Sequence, residues 1–431
     1  MPHINRMPLL VAVVSCAAGA LVACGGGDSP SPVEPVTIAV TGTNAVSSWN
    51  EVAMSTINVP PSATGSAEEQ RPNSAVDLAT VHVAIYDAVI AIAGTHRPYA
   101  ITPAAPTDGA SQEAAAAAAA YGVLLGLFPN RSAQYQPAYE VHLTAVPDGT
   151  ARSKGVAVGA EVATRILALR AADGRSVAMA AYVPGTAPGQ FRGTNPIGRP
   201  NAFIKPFALT SVSQFRAPGP PALTSAAYAT DFNEVKSLGS LTGSTRTVEE
   251  TEAARFHTQP PPTLWPINLR RFAMTNRSVA EHARLMAMVW VAQADAGNAC
   301  FDSKYHYQTW RPASAVALAD TDGNAATVAD PAWVTVVATP NHPEYPAAHG
   351  CVGAATAEIL RAYYGTNDVT FEFTSTITGT TRRYTSVSAL LDEVVMSRIL
   401  GGMHFRFSLV DGVALGRSVG TWITTHHFQP R

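Results

Sequence analysis

Seven consecutive alanines, Ala114 to Ala120, constrain this chain more than any other stretch. Alanine is the strongest helix former, because its side chain has no rotamer freedom to lose and no polar group to bury. The run Glu113 to Phe128 is therefore expected to be helical. A helix faced with alanine has a smooth surface, so a neighbouring helix can approach it closely. The chain is thereby committed to helix-on-helix packing.

Other stretches carry the same period. Leu78, Val81, Ile85, Val89 and Ile92 recur at helical spacing, and Gly94 can end that helix. Val156 to Ala172 is amphipathic and stops near Asp173-Gly174. Helical patterns resume near Ser225, and Val279 to Asp295 has a clear apolar face. From Tyr182 to Pro221, prolines and glycines recur too often for regular helix, which predicts a long irregular surface connection. Only Val369 to Tyr384 reads as β structure, a small hairpin. There is no convincing internal repeat. The expected fold class is mostly α, built of packed helical bundles, with that hairpin near 369–384. An N-terminal helical region over 46–260 and a C-terminal helical region over 261–431 are expected, the second carrying the chemistry. Hydrophobic residues make up 47% of the 431, enough to bury a large core. The formal net charge of −2 gives no electrostatic footprint for nucleic acid.

The N-terminus reads as a targeting segment. Arg6 supplies a positive charge, Leu9 to Leu21 is apolar, and Leu21-Val22-Ala23-Cys24 follows. In that setting Cys24 resembles the lipobox cysteine of a bacterial lipoprotein. The resemblance implies removal of residues 1–23, lipidation of Cys24 and a periplasmic, membrane-anchored protein. An ordinary secretory signal with an incidental cysteine is the alternative. Residues 24–45, rich in Gly, Ser and Pro from Gly25 to about Pro35, then read as a flexible tether. No later apolar run is expected to reach the roughly 20 residues needed to cross a bilayer, Ala114 to Phe128 coming nearest. Cys300 and Cys351 remain as thiols of the mature chain. In an oxidising compartment two such thiols often pair, and a Cys300–Cys351 disulfide is expected. Two buried free thiols acting as small hydrophobes are the alternative.

Charged residues are only 14% of the chain, so clustered cations stand out. Three blocks near the C-terminus hold them: Lys304-x6-Arg311-Pro312, Pro346-Ala347-Ala348-His349, and Ser397-Arg398-x5-His404. On one helix, Lys304 and Arg311 would share a face roughly 10 Å apart, with Pro312 ending it. His349 follows the stiff Pro343-Glu344-Tyr345-Pro346 and precedes a helical pattern ending near Gly365. A helix N-terminus there favours a bound anion, and an imidazole beside it suits proton transfer. Arg398 ends the helical run Ala389 to Leu400, Gly401-Gly402 breaks it, and His404 precedes a helix over roughly Leu409 to Thr425. Three cations and two histidines can hold a tetrahedral oxyanion and act on it. Taken singly, each block also reads as a solvated cationic face, a capping histidine or a core histidine.

Together the blocks resemble the signature of the vanadium-dependent haloperoxidases and the related type 2 phosphatidic-acid phosphatases, Lys-x6-Arg-Pro, Pro-Ser-Gly-His and Ser-Arg-x5-His in that order. The resemblance is strongest from about Ala294 to Thr425. It implies that Lys304, Arg311 and Arg398 neutralise the oxygens of a bound vanadate or phosphate, with the Ala348 backbone as a further donor. It implies His404 as the metal ligand of a vanadate cofactor, or as the nucleophile of a metal-free phosphatase forming a phosphohistidine. It makes His349 the catalytic acid–base group on the other side, and has Lys304 polarise peroxide. Ala347 and Ala348 depart from the family's Ser and Gly. The lost hydroxyl donor costs about 1 kcal/mol of oxyanion binding. His342 stands where related bromoperoxidases also carry His, which implies a halide site favouring bromide over chloride. Asp411 is a candidate for orienting an imidazole, or else a first-turn helix carboxylate. Nothing in their spacing assigns a role to His306 or Asp295. The expected function is halide oxidation by hydrogen peroxide at a His-bound vanadate. The alternatives are a metal-free acid phosphatase, and a non-catalytic oxyanion-binding lipoprotein.

Overall fold

The computed structural model describes residues 36–37, 44–58, 74–259, 261–269, 271–272 and 276–431. The expected signal peptide, Cys24 and most of the expected tether lie outside them. The architecture is mostly α, as the periodicity predicts. The helices that build it are α1 (Ala45–Ile57), α2 (Ser74–Ala93), α3 (Gln112–Leu127), α4 (Ser132–Thr144), α5 (Thr150–Arg170), α6 (Ala226–Leu238), α7 (Val248–Phe256), α8 (Pro261–Leu269), α9 (Val279–Tyr307), α10 (Pro312–Ala317), α11 (Ala348–Tyr364), α12 (Val387–Leu400) and α13 (Arg406–His426).

The alanine seam behaves as its surface predicts. Helix α3 packs along α5. At the crossing α5 presents Gly155 and Gly159, where an added Cβ would collide with the backbone of Ser111 and Ala115. Alanine on one side and glycine on the other bring the two backbones together. Helix α2 is buried almost throughout. Among the described residues it, and not the alanine run, has the length and composition to cross a bilayer, contrary to the expectation from the sequence, yet it serves as a core helix. Gly94, in the left-handed region at φ +68, follows its last turn.

Helix α9 is the central element. Ser278 caps it in a reciprocal capping box with Glu281, and it runs 29 residues, past Asp295 to Tyr307. It packs against α2 on one side and α11 on the other, so helices of both expected regions share one core. Asp295, fully buried, accepts the backbone N–H groups of Phe207, Ala208 and Leu209, at 2.7, 2.7 and 3.0 Å. The irregular segment after α5 is thereby tied to the central helix. His306 is exposed and lies edge-on to Tyr307.

The hairpin forms from β2 (Val369–Thr374) and β3 (Thr381–Tyr384), antiparallel, with Phe371 opposite Tyr384. Val369, Phe371 and Phe373 alternate inward at the strand period of two. A two-residue strand β1, Val36–Thr37, adds to β2 in parallel, so these two residues within the expected tether are paired with the sheet.

Helix α11 carries the middle block and lies along α13. The contact is glycine-lined on α13, at Gly412, Gly416 and Gly420. A Cβ on Gly412 would stand 2.7 Å from the Ala347 carbonyl oxygen. This close approach sets the start of α11 beside the start of α13, and so His349 near His404.

Candidate functional site

The expectation that Lys304 and Arg311 share a helix face is wrong. Gln308 adopts the left-handed conformation, φ +48, and ends α9 after Tyr307. Arg311 is extended, φ −83 and ψ 157, and caps the start of α10 at Pro312. The two cations converge because a single loop segment, His342 to Pro346, receives them both. Lys304 Nζ donates to the carbonyls of Pro343 at 3.0 Å and Glu344 at 2.8 Å. Arg311 Nε donates to the His342 carbonyl at 2.8 Å, and Arg311 NH2 donates to His342 Nδ1 at 2.9 Å.

The third block arrives from the far side. Arg398 sits in the last turn of α12, and Gly402 at φ +75 lets the chain reverse. His404 then precedes α13, facing Arg311, whose NH1 donates to His404 Nε2 at 3.3 Å. A guanidinium cannot accept a proton, so this Nε2 carries a lone pair and the imidazole proton rests on Nδ1. That proton is donated to Glu344 Oε1 at 2.7 Å, and the Phe405 N–H donates to the same oxygen at 3.2 Å. Glu344 is thus the imidazole-orienting carboxylate. Asp411 does not fill that role: it accepts a hydrogen bond from the Tyr345 hydroxyl at 2.7 Å. The sequence shows Glu344 only as part of a proline-rich turn, and no spacing rule singles it out.

Lys304, Arg311 and Arg398 are 0, 2 and 1% exposed. Among the described residues none of the three has a carboxylate partner within ion-pair distance. Burial lowers Lys304 to about 8, Arg311 to about 10 and Arg398 to about 9. Burial also raises Glu344 to about 7, against the pull of Lys304 and Arg311. His342, His349 and His404 all fall well below the usual histidine value, through burial first and then the neighbouring cations. The site is a desolvated concentration of positive charge with neutral imidazoles, which a bound anion would relieve.

A cavity of about 1250 Å³ opens onto it, with Ala348, His349, Arg398, His404 and His342 on its wall. Lys304 and Arg311 stand behind that wall. Ala348 is the first residue of α11, so its N–H has no intrahelical partner. His349 Nε2 and Arg398 Nε are buried with no hydrogen-bond partner among the described residues. Arg398 NH1 is held by the carbonyl of His257 at 2.8 Å, and His257 Nε2 pairs with Glu393 Oε1 at 2.9 Å. The role of His257 as a support for Arg398 has no signal in the sequence. Ala347, expected at the departure from the family's serine, is the N-cap of α11 without a side-chain cap. It packs in an apolar cluster with Trp310, Phe405 and Leu409. His342 lies against the Phe301 ring, centroids 5.1 Å apart, as well as on Arg311.

The expected Cys300–Cys351 disulfide is not formed. Both are free, buried thiols, and Cys300 Sγ donates to the Pro346 carbonyl at 3.6 Å. They fill space beneath the Lys304 region as small apolar groups. The donor set nevertheless fits an oxyanion: two buried, unpartnered nitrogens, a free backbone N–H, three cations and an imidazole lone pair.

Comparison with known proteins agrees with this arrangement. Residues 284–430 match the family described as the VCPO second helical-bundle domain. The vanadium chloroperoxidase of Curvularia inaequalis is 33% identical over 124 residues, 24% of this chain and 20% of that protein's own length. The chain therefore spans about a fifth of that curated relative. Among solved structures, a bacterial vanadium-dependent iodoperoxidase superposes with a TM-score of 0.71 at 24% identity, covering 89% of this chain and 96% of that one. A bacterial vanadium-dependent chloroperoxidase in its holo form gives 0.68 at 15% identity, covering 90% and 98%. These two likenesses establish the fold.

Proposed function

This chain belongs to the superfamily of vanadium-dependent haloperoxidases and type 2 phosphatidic-acid phosphatases, and we propose that it is a vanadate-dependent haloperoxidase. The observation that carries the proposal is the trio of buried cations without carboxylate partners, set around an imidazole nitrogen whose lone pair faces them. Arg398 and the Ala348 N–H meet the anion at the cavity wall, and Lys304 and Arg311 add their charge from behind. Glu344 holds the proton on His404 Nδ1, so Nε2 is presented as a ligand. His349, neutral and with Nε2 unpartnered, takes or returns a proton on the opposite side. Vanadate bound in this cradle would supply a Lewis acid that activates hydrogen peroxide toward halide. His342 beside Arg311 favours bromide over chloride in this reading. The N-terminal pattern supports a lipid anchor at Cys24 and a periplasmic location, which metabolic labelling with a fatty-acid analogue tests.

The Glu344–His404 pair favours a second reading. An imidazole polarised by a buried carboxylate is also a nucleophile, so the same residues suit a metal-free acid phosphatase passing through a phosphohistidine. Purified protein given orthovanadate, peroxide and bromide is assayed for bromination of a dye, and metal-free protein is assayed on an aryl phosphate. Bromination that requires vanadate supports the first reading; phosphate release inhibited by vanadate supports the second. His404→Ala removes either activity and leaves the far-UV spectrum unchanged. Normal turnover in that variant contradicts the assignment.

A further inference from the structure

Arg398 is the one cation of the cradle that stands on the cavity wall. Among the described residues it is held by a single hydrogen bond, from NH1 to the His257 carbonyl. His257 ends α7, where the last carbonyls have no intrahelical partner and carry partial negative charge. A carbonyl orients a guanidinium without neutralising it, so the charge is left for an anion. One such bond is a weak restraint on a long side chain unless the carbonyl is itself fixed.

Glu393, five residues before Arg398 on α12, supplies that fixation. The His257 ring is wholly buried, and its Nε2 lies 2.9 Å from Glu393 Oε1. Despite burial, hydrogen bonds from His257, Tyr384 and Arg382 lower Glu393 to about 2, so its carboxylate is ionised and only accepts. Nε2 therefore carries the ring proton. Burial lowers His257 below the usual histidine value, against the pull of Glu393, so the ring is neutral. Its Nδ1 has no partner among the described residues, which leaves Nε2 as the point where the ring is held. Helix α12 thus grips His257 twice, with Glu393 on the ring and Arg398 on the carbonyl.

Glu393 is in turn fixed from β3. Its Oε1 accepts the Tyr384 hydroxyl at 2.6 Å and Arg382 Nε at 2.8 Å. Arg382 also donates to Glu249, at 2.5 Å, and to Glu252, both on α7. The hairpin, α7 and α12 therefore close on one carboxylate.

We propose that Glu393 and His257 are positioning residues for the oxyanion site: Glu393 grips the His257 ring, and the carbonyl so fixed aims Arg398 at the bound anion. This rests on the oxyanion reading of the cradle. It gives the hairpin a task, since Arg382 and Tyr384 hold Glu393 in place. The negative charge is kept one residue away from the guanidinium, which is anchored yet not neutralised.

Two measurements on the full chain test this. Calorimetric titration with inorganic phosphate reads the anion site. Solvent exchange of the Arg398 Nε–H, followed by arginine-selective nitrogen NMR and assigned by its loss in Arg398→Lys, reads the restraint with no ligand present. Glu393→Gln keeps an acceptor for His257 Nε2 but removes its charge, so it should weaken phosphate binding about tenfold and speed the exchange. In an Arg398→Met background Glu393→Gln should no longer alter phosphate affinity, because its effect passes through the guanidinium. His257→Leu should reproduce the losses of Glu393→Gln, and His257→Gln, whose amide N–H still donates to Glu393, should restore most of the affinity. A group that only held the fold together would lower the unfolding midpoint and leave affinity, exchange and coupling as they are. Unchanged phosphate affinity in Glu393→Gln, or the same loss with and without Arg398, overturns the proposal. Should Glu393→Gln fail to fold, equal phosphate affinity in His257→Leu and His257→Gln overturns it instead. A native chain that does not bind phosphate overturns the oxyanion reading; faster Arg398 exchange in Glu393→Gln then still upholds the restraint, and unchanged exchange sinks it as well.

Discussion

Raising the pH should dismantle the oxyanion site from Lys304 outward. Burial, and Arg311 nearby, lower that ammonium from 10.5 to about 8, with Cys300, Glu344 and Cys351 pulling the other way. A bound anion restores the ammonium toward its ordinary value, so binding takes up a proton between about pH 8 and 10.5. Affinity therefore falls as pH rises through that window. One proton per site predicts about a tenfold loss for each pH unit, and the full shift corresponds to about 3 kcal/mol. Inorganic phosphate is a dianion throughout this range, so the slope belongs to the protein. Arg398, at about 9, steepens the loss further up. The sign for stability is opposite: the unfolded chain holds the Lys304 proton to higher pH, so the anion-free protein gains stability as pH rises from about 8. The assay is calorimetric titration with phosphate at a series of pH values, repeated on Lys304→Met. The variant should bind phosphate about 1.5–3 kcal/mol more weakly and lose the slope that begins near 8. A dissociation constant that stays flat through about pH 9 in the native chain, or an unaltered slope in Lys304→Met, refutes the reasoning.

Three further outcomes follow from the same geometry. Glu344→Gln keeps an acceptor for His404 Nδ1 but removes its charge, so turnover in whichever assay succeeds should fall about tenfold, the difference between a charged and a neutral hydrogen bond; unchanged kcat dismisses Glu344 as the orienting group. Ala347→Ser supplies the side-chain cap that the start of α11 lacks and should stabilise the fold by about 1 kcal/mol, read by urea unfolding. Gly159→Ala drives a methyl group into the Ala115 carbonyl and should destabilise the fold by about 1–3 kcal/mol, measured by urea unfolding.

The helices were legible because their signals are local. The alanine run and the apolar period of α2, closed by Gly94, declare themselves within a few residues. The cradle was legible only in its residue types. Lys304 and Arg311 do meet, but through the loop at His342 to Pro346, because one left-handed residue, Gln308, stops the helix that seven-residue spacing suggests. Glu344 was hidden for a related reason. A carboxylate between two prolines looks like turn chemistry, and only tertiary folding buries it against an imidazole sixty positions away. The cysteines illustrate the reverse error. Proximity and compartment argued for a covalent bond, whereas the structure buries both as free thiols, one of them bonded to a main-chain carbonyl.

The stretch from His342 to Pro346 is a common anchorage. Its carbonyls restrain Lys304 and Arg311, and its one carboxylate restrains His404. These three groups consequently travel as a unit. A displacement of that short stretch would retune charge, ligand direction and acidity simultaneously, so drift in this site's chemistry should arise from substitutions around five loop positions more readily than from changes in the cations themselves.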